Sequence, residues 1–126
     1  MTQTATLGAE FAQALAAKDF ERLLGMFDPE VDFRALTPRF FWDPGGPEEI
    51  VGSVLRKWFE DDDEIEALEK LETDAFADRE RVAYRFRIRN PEGLFLVEQQ
   101  AYLSGGEGRI EWMRVLCSGY RPIEEE

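Results

Sequence analysis

An α+β fold is what the residue pattern predicts: a strongly curved antiparallel sheet with N-terminal helices packed on its concave face. Three observations lead there. Apolar residues recur at helical spacing through the first part of the chain, alternate with charged residues over long runs in the second part, and only Gly- and Pro-marked turns separate the runs. At 126 residues the chain matches one domain with one core, so residues 1–126 are read as a single unit.

Leu7, Phe11, Ala14 and Leu15 share one face of a helix over Leu7 to Lys18, which Thr6 can cap and Ala-rich filler favours. Asp19 can cap a second helical piece whose stripe is Phe20, Leu23, Leu24 and Phe27, stopped by Asp28-Pro29. Val31, Phe33 and Ala35 then alternate with Asp32 and Arg34 as a short strand ending near Thr37-Pro38. The stretch Pro38 to Gly46 (PRFFWDPGG) is too short for a helix and too apolar for a free loop, so it is expected to fold over something. Gly46-Pro47-Glu48-Glu49 starts a helix, because Pro in the first turn forfeits no hydrogen bond and acids suit the positive end of the dipole. Its stripe is Ile50, Val51, Val54, Leu55, Trp58 and Phe59.

Ile65 to Phe76 carries both periods and is read as a strand from about Leu68, because the strand after it needs a partner. In that next strand Val82, Tyr84, Phe86 and Ile88 alternate with Arg81, Arg85, Arg87 and Arg89. Beyond Asn90-Pro91-Glu92-Gly93, the residues Phe95, Val97, Gln99, Ala101 and Leu103 face one way, and Leu96, Glu98, Gln100 and Tyr102 the other. The turn Ser104 to Gly108 leads into a last strand, Arg109 to Gly119, where alternation puts Ile110, Trp112, Arg114 and Leu116 on one face.

Composition narrows the chemistry. With no histidine and a single cysteine, Cys117, the chain cannot build Ser/His/Asp or Cys/His catalysis, an ordinary zinc site or an internal disulfide. Carboxylates, Tyr, Lys or Arg are left for any reaction, and neither metal nor cofactor is expected. Cys117 itself reads as a buried inert thiol. A net charge of −12 argues against nucleic acid. The runs Glu60 to Glu64 (EDDDE) and Glu124 to Glu126 read as solvated, and EDDDEIEALEK lacks the mid-loop Gly of a calcium loop. Met1 to Ala5 carries neither the basic nor the apolar region of a signal peptide, and no membrane segment is present, so the cytoplasm is the expected location.

The order helix, helix, short strand, helix and then a meander of long strands resembles the nuclear transport factor 2-like (NTF2-like) superfamily, also called the SnoaL-like or cystatin-like cone. The resemblance is carried by Phe11 to Phe27 (FAQALAAKDFERLLGMF) with Asp28-Pro29-Glu30-Val31-Asp32 after it, by the Gly46 to Phe59 helix ending in Trp-Phe, and by Gly108-Arg109-Ile110 opening the last strand. It covers nearly the whole chain. It implies a cone whose wide end is a deep, largely apolar pocket, in a family holding both enzymes and noncatalytic binders, and it implies homodimers.

With the alternation in register, the pocket face gathers Tyr84, Phe86, Gln99, Ala101, Trp112 and Arg114, while Trp58 and Phe59 approach from the helix and Phe41 and Trp42 close the mouth. These are the candidate ligand-binding residues; the competing reading makes most of the rings core filler. Asp32, Asp43 and Tyr84 are the catalytic candidates, with Arg114 beside them. The sequence departs from the ketosteroid isomerase pattern within the resemblance, since the first helix carries no Tyr and Gln99 stands where a neutral acid would be needed. Arg114 is expected either to pair with Glu98 or another rim acid, or to grip an anionic or carbonyl ligand.

The outer sheet face, with Arg85, Arg87 and Arg89 beside Leu96, Glu98, Gln100, Tyr102, Met113, Val115 and Cys117, is expected to form a homodimer, its arginines pairing across strands with Glu69 or Glu98 in the alternative. Three functions stay open. The domain binds a small apolar or aromatic molecule, or works as a cofactor-independent isomerase, cyclase or hydrolase through pocket carboxylates, or is a protein-interaction module. A pocket with an acid in reach of a Tyr or Arg favours the enzyme, and a filled cone favours the interaction module.

Overall fold

The computed structural model describes residues 6–106 and 108–124; the expectations for Met1 to Ala5 and for Glu125 and Glu126 of the acidic tail lie outside them. Helix α1 (Leu7–Ala16) begins where the Thr6 hydroxyl accepts the Ala9 N–H at 3.0 Å, and α2 (Phe20–Met26) where the Asp19 carboxylate accepts the Arg22 N–H at 3.1 Å. Between them Lys18 takes a left-handed conformation, which separates the two pieces. Helix α3 (47–58) opens with Pro47–Glu49, widens into a π-helical segment at Ile50–Leu55 and closes with Arg56–Trp58. Its whole predicted stripe, from Ile50 to Phe59, is buried. Among the described residues no helix is long and apolar enough to cross a membrane.

The described residues also form seven strands: β1 (Phe27–Thr37) and β2 (Phe40–Trp42) before α3, and β3 (Glu64–Phe76), β4 (Arg79–Asn90), β5 (Gly93–Gly106), β6 (Arg109–Cys117) and β7 (Arg121–Ile123) after it. They form one sheet in the order β2-β1-β6-β5-β4-β3, with β7 also on β5. Every pairing is antiparallel except that of β1 with β6, which is parallel, so the sheet is mixed. The helices cover its inner face, α1 lying against β3 and β4. Phe27 leaves the α2 stripe to open β1, and Leu24 is exposed.

Bulges decide which residues look inward. In β3 the register passes from Ile65↔Ile88 to Ala67↔Arg87 and from Leu68↔Phe86 to Lys70↔Arg85, so Glu66 and Glu69 are extra residues. Ile65, Leu68 and Leu71, spaced like a helix, therefore all pack on the core from a strand that starts at Glu64. In β6 the register passes from Gly105↔Ile110 to Ser104↔Trp112, leaving Glu111 extra. Ile110 stays inside, but beyond the bulge Met113 and Val115 are the buried residues, and Trp112, Arg114 and Leu116 face outward. The expected alternation from Ile110 to Leu116 is thus inverted after its first residue. Gly105 makes this possible, since a Cβ there would overlap the Arg109 carbonyl.

Candidate functional site

Between the helix layer and the sheet, where α3 ends beside β1, β5 and the connection from β6 to β7, lies a cavity of about 120 Å³. It is lined by Thr37, Pro38, Trp58, Phe59, Gln99, Cys117, Gly119 and Tyr120. Larger depressions, about 570 Å³ between α2 and the start of α3 and about 330 Å³ along β4, β5 and β6, are more open grooves. The latter shares Gln99 and Cys117 with the smaller cavity. Trp58 and Gln99, whose side-chain nitrogens are buried without a hydrogen-bond partner among the described residues, both border the smaller cavity, which is lined almost wholly by apolar surface.

Trp58 is carried to the cavity by the last turn of α3 and held by rings: edge-on to Trp42 at 6.1 Å and tilted to Phe33 at 6.5 Å between centroids. Its backbone carbonyl accepts the Tyr120 hydroxyl at 2.6 Å. Tyr120 also stacks on Phe59 at 6.3 Å, and burial, reinforced by the Asp63 carboxylate, pushes its phenol far above the ordinary tyrosine range. The chain reaches Tyr120 by way of Gly119, whose φ of 80° belongs to glycine and whose missing side chain leaves room for Pro38 Cγ, 2.7 Å from where a Cβ would stand. The acidic run after α3 is folded rather than loose. Lys18 Nζ donates to the carbonyls of Glu60 and Asp63, and the Asp63 carboxylate accepts from the Glu60 N–H and from Asn90 Nδ2, each at 2.9 Å.

Gln99 comes from the middle of β5 and is only 2% exposed. Its Oε1 accepts the Tyr84 hydroxyl at 2.6 Å, and Tyr84 is packed between Phe11 and Phe86. Burial, with the nearby Cys117 thiol adding to it, raises the Tyr84 phenol well above its usual value, so Tyr84 stays a neutral donor. That bond fixes the amide, leaving Nε2 as a donor. Among the described residues neither Gln99 Nε2 nor Trp58 Nε1 has a protein acceptor.

The other candidates fall in three places. Phe86 is fully buried core, in edge contact with Phe59 at 5.5 Å, and does not line the cavity. Trp42 buttresses Trp58 and donates its Nε1–H to the Thr37 hydroxyl at 2.8 Å, whereas Phe40 and Phe41 are exposed, so the hairpin is only in part the expected lid. Trp112 and Arg114 lie on the outer face, because of the Glu111 bulge; there the guanidinium groups of Arg79 and Arg114 sit 3.9 and 4.5 Å from the Trp112 ring centre.

Asp32, Asp43 and Arg114 do come together, but on that same outer face. Arg114 Nη1 is 3.2 Å from Asp32 Oδ1, and Arg34 Nε stands 3.8 Å from Asp32 and 3.5 Å from Asp43. The Arg114 hydrogen bond holds Asp32 below the usual carboxylate value. Arg114 pairs with Asp32 rather than Glu98, which takes Arg85 at 2.8 Å. The arginine row of β4 is answered by the bulge residues, with Glu66 beside Arg87 and Arg89 and Glu69 beside Arg85 and Arg87. Thr37, Pro38, Cys117, Gly119 and Tyr120 were absent from the expected site. A Pro and a Gly flanking strand ends mark where a chain can pass over a pocket, but only the pairing of β1 with β6 puts Pro38 and Gly119 side by side. Among the described residues, no group of three or more metal-ligating side chains gathers.

No family model matches the chain, and no curated protein matches it. Solved structures do. A proposed isomerase from Rhodopseudomonas palustris superposes with a TM-score of 0.68 at 16% identity, covering 94% of this chain and 93% of that one. A hypothetical protein with a ketosteroid isomerase-like fold from Catenulispora acidiphila, in complex with trimethylamine, gives 0.66 at 13% identity over 90% and 85% of the two chains. An NTF2-like protein of unknown function from Cytophaga hutchinsonii gives 0.55 at 16% identity over 93% and 94%. These likenesses define the class: the chain has the NTF2-like, ketosteroid isomerase-like cone fold. In its particular form the cone is floored by the Tyr84–Gln99 pair and rimmed by Trp58, Phe59 and Tyr120.

Proposed function

We propose that this domain binds a small apolar or aromatic molecule in the cavity bounded by Trp58, Phe59, Gln99 and Tyr120. The observation that carries the reading is the cavity itself: about 120 Å³ with an almost wholly apolar lining to which Trp58, Phe59 and Tyr120 contribute their rings, at the edge of the buried core. A protein of the same fold in complex with trimethylamine supports it. Binding is favoured over isomerase, cyclase or hydrolase chemistry because the carboxylates Asp32 and Asp43 and the phenol of Tyr84 sit on opposite faces of the sheet, and no carboxylate lines the cavity. Trp58, Phe59 and Gln99 touch the ligand in this reading, with Tyr84 and Trp42 as positioning residues behind Gln99 and Trp58. The domain is placed in the cytoplasm, where its unpaired Cys117 suits a reducing milieu.

Native mass spectrometry tests the reading on the intact protein and on Cys117→Phe, which fills the cavity. The expected result is a small molecule that is retained, or taken up from a library of one-ring compounds, by the original chain and not by the variant. Equal uptake by both, or none by either, sinks it.

A second reading concerns the outer face and rests on a different observation. Phe41, Leu36 and Leu116 stand side by side across β2, β1 and β6, all more than half exposed. The face is proposed as the contact of a homodimer.

A further inference from the structure

We infer that two copies of this chain are keyed together by two contacts, each made twice about a two-fold axis along β6: Asp43 against Arg81 of the partner subunit, and Phe41 in the hollow over Ala83 of the partner subunit. The inference rests on the homodimer reading above and names the surfaces that mate. Its starting point is the register of the sheet, in which β1 and β2 lie on one side of β6 and β5 and β4 on the other. One outward row across these five strands reads Phe41, Leu36, Leu116, Gln100, Ala83. The row beside it reads Asp43, Arg34, Arg114, Tyr102, Arg81. Paired strands are about 4.8 Å apart, so Phe41 and Ala83 stand roughly 10 Å to either side of Leu116. Half a turn about an axis that lies in the contact plane along β6 exchanges the two sides. It sets Phe41 against the partner's Ala83, Leu36 against the partner's Gln100, Asp43 against the partner's Arg81 and Arg34 against the partner's Tyr102, while Leu116 and Arg114 meet their own counterparts.

Shape and charge both fit that operation. The exposed bulk of the first row, Leu36 and Phe41, stands on the β1–β2 side, and the depression of about 330 Å³ bordered by Ala83, Gln100 and Leu116 lies on the other. A knob and a hole on opposite sides of one strand can fill each other twice in a self-facing contact. In the second row, Arg81 is half-buried and among the described residues makes no ion pair, although the chain carries a net charge of −12. Arg34, Arg79, Arg85, Arg87, Arg89 and Arg114 on the same face are all paired. Asp43 is 57% exposed and shares Arg34 with Asp32, so it has room for a second cation. Arg34 over a tyrosine ring is a favourable contact in its own right. Within the two rows like charges meet only at the axis, where Arg114 is already answered by Asp32 at 3.2 Å.

Charge exchange on the full chain, read by sedimentation and native mass spectrometry, tests the pairing. Asp43→Arg and Arg81→Asp each set like charges together at both repeats of the contact, and each should dimerise about a hundredfold more weakly than the original chain. Mixed in equal amounts the two variants are complementary, because arginine then meets aspartate at both repeats. They should form a heterodimer, told from either homodimer by its mass. The double variant Asp43→Arg/Arg81→Asp should pair with itself and recover most of the loss. Ala83→Phe fills the hollow and should weaken the dimer about tenfold or more. Single exchanges or an Ala83→Phe variant that dimerise like the original chain, or a mixture and a double variant that both stay monomeric, overturn this pairing and leave the homodimer reading standing in another register. Where circular dichroism shows a single variant unfolded, the double variant decides alone: a dimer supports the pairing and a folded monomer overturns it. A monomeric original chain across the micromolar range overturns both.

Discussion

Tyr84 spends its one proton on Gln99, and Tyr120 spends its own on the Trp58 carbonyl, so each phenol fixes a neighbour that borders the cavity. Both are pushed above the ordinary value of 10.0, by burial first. A group whose folded value is raised contributes stability that is complete below its unfolded value and is lost as pH rises past it, because above pH 10 only the unfolded chain releases the proton. Alkaline titration followed by circular dichroism and phenolate absorbance should therefore show the phenolate signals of Tyr84 and Tyr120 only together with loss of the fold, their shares assigned by Tyr84→Phe and Tyr120→Phe. Ionisation of either ring in the intact fold would refute the closed arrangement. Gln99 was legible in the sequence because β5 runs without interruption around it, so a polar residue in an apolar row announced itself. Tyr120 was not, because it follows a break in the ladder where no period points anywhere.

At the scale of elements, the late start read for β3 and the wrong face read for β6 have one cause. Alternation assigns faces only while pairing is regular, and Glu66, Glu69 and Glu111 each add one residue to a strand. In β3 the additions made a strand look partly helical. In β6 one addition sent Trp112 and Arg114 outward and drew Met113 and Val115 into the core. Helix starts, by contrast, were legible to the residue at Thr6 and Asp19, since a cap is a local hydrogen bond that the next three residues complete. The β6 bulge depends on the close approach of Gly105 to Arg109, so Gly105→Ala should destabilise the protein by about 2 kcal/mol or more in urea unfolding. Gly52, on α3 with nothing within 4 Å of an added Cβ, is the control: Gly52→Ala should be neutral or slightly stabilising. A Gly105→Ala loss below about 0.5 kcal/mol, the usual range for surface changes, would mean that the bulge is not built on that glycine.

For the whole molecule, the cone arrangement followed from element order, while the character of the outer face did not. Of the apolar residues that the sequence put there, Leu96 and Tyr102 are half-buried, Met113 and Val115 are core and Cys117 borders the cavity, while Leu36, Phe41 and Leu116 supply the exposed apolar surface. Leu36 pairs with Phe41 on one side and Leu116 on the other, at 51%, 54% and 61% exposure, so the three make one continuous row rather than scattered surface residues. The row is flanked by Arg34 and Arg114 with Asp32 and Asp43, an alternation of signs that a two-fold contact can set against itself. Sedimentation at micromolar concentration should therefore find a dimer. Leu116→Glu sets a carboxylate into the middle of the self-facing row and should yield a folded monomer, with the cavity and its ligand response unchanged, since Leu116 points away from it. A monomer for the original chain across the micromolar range refutes the contact, and a dimer that survives Leu116→Glu moves it to another surface.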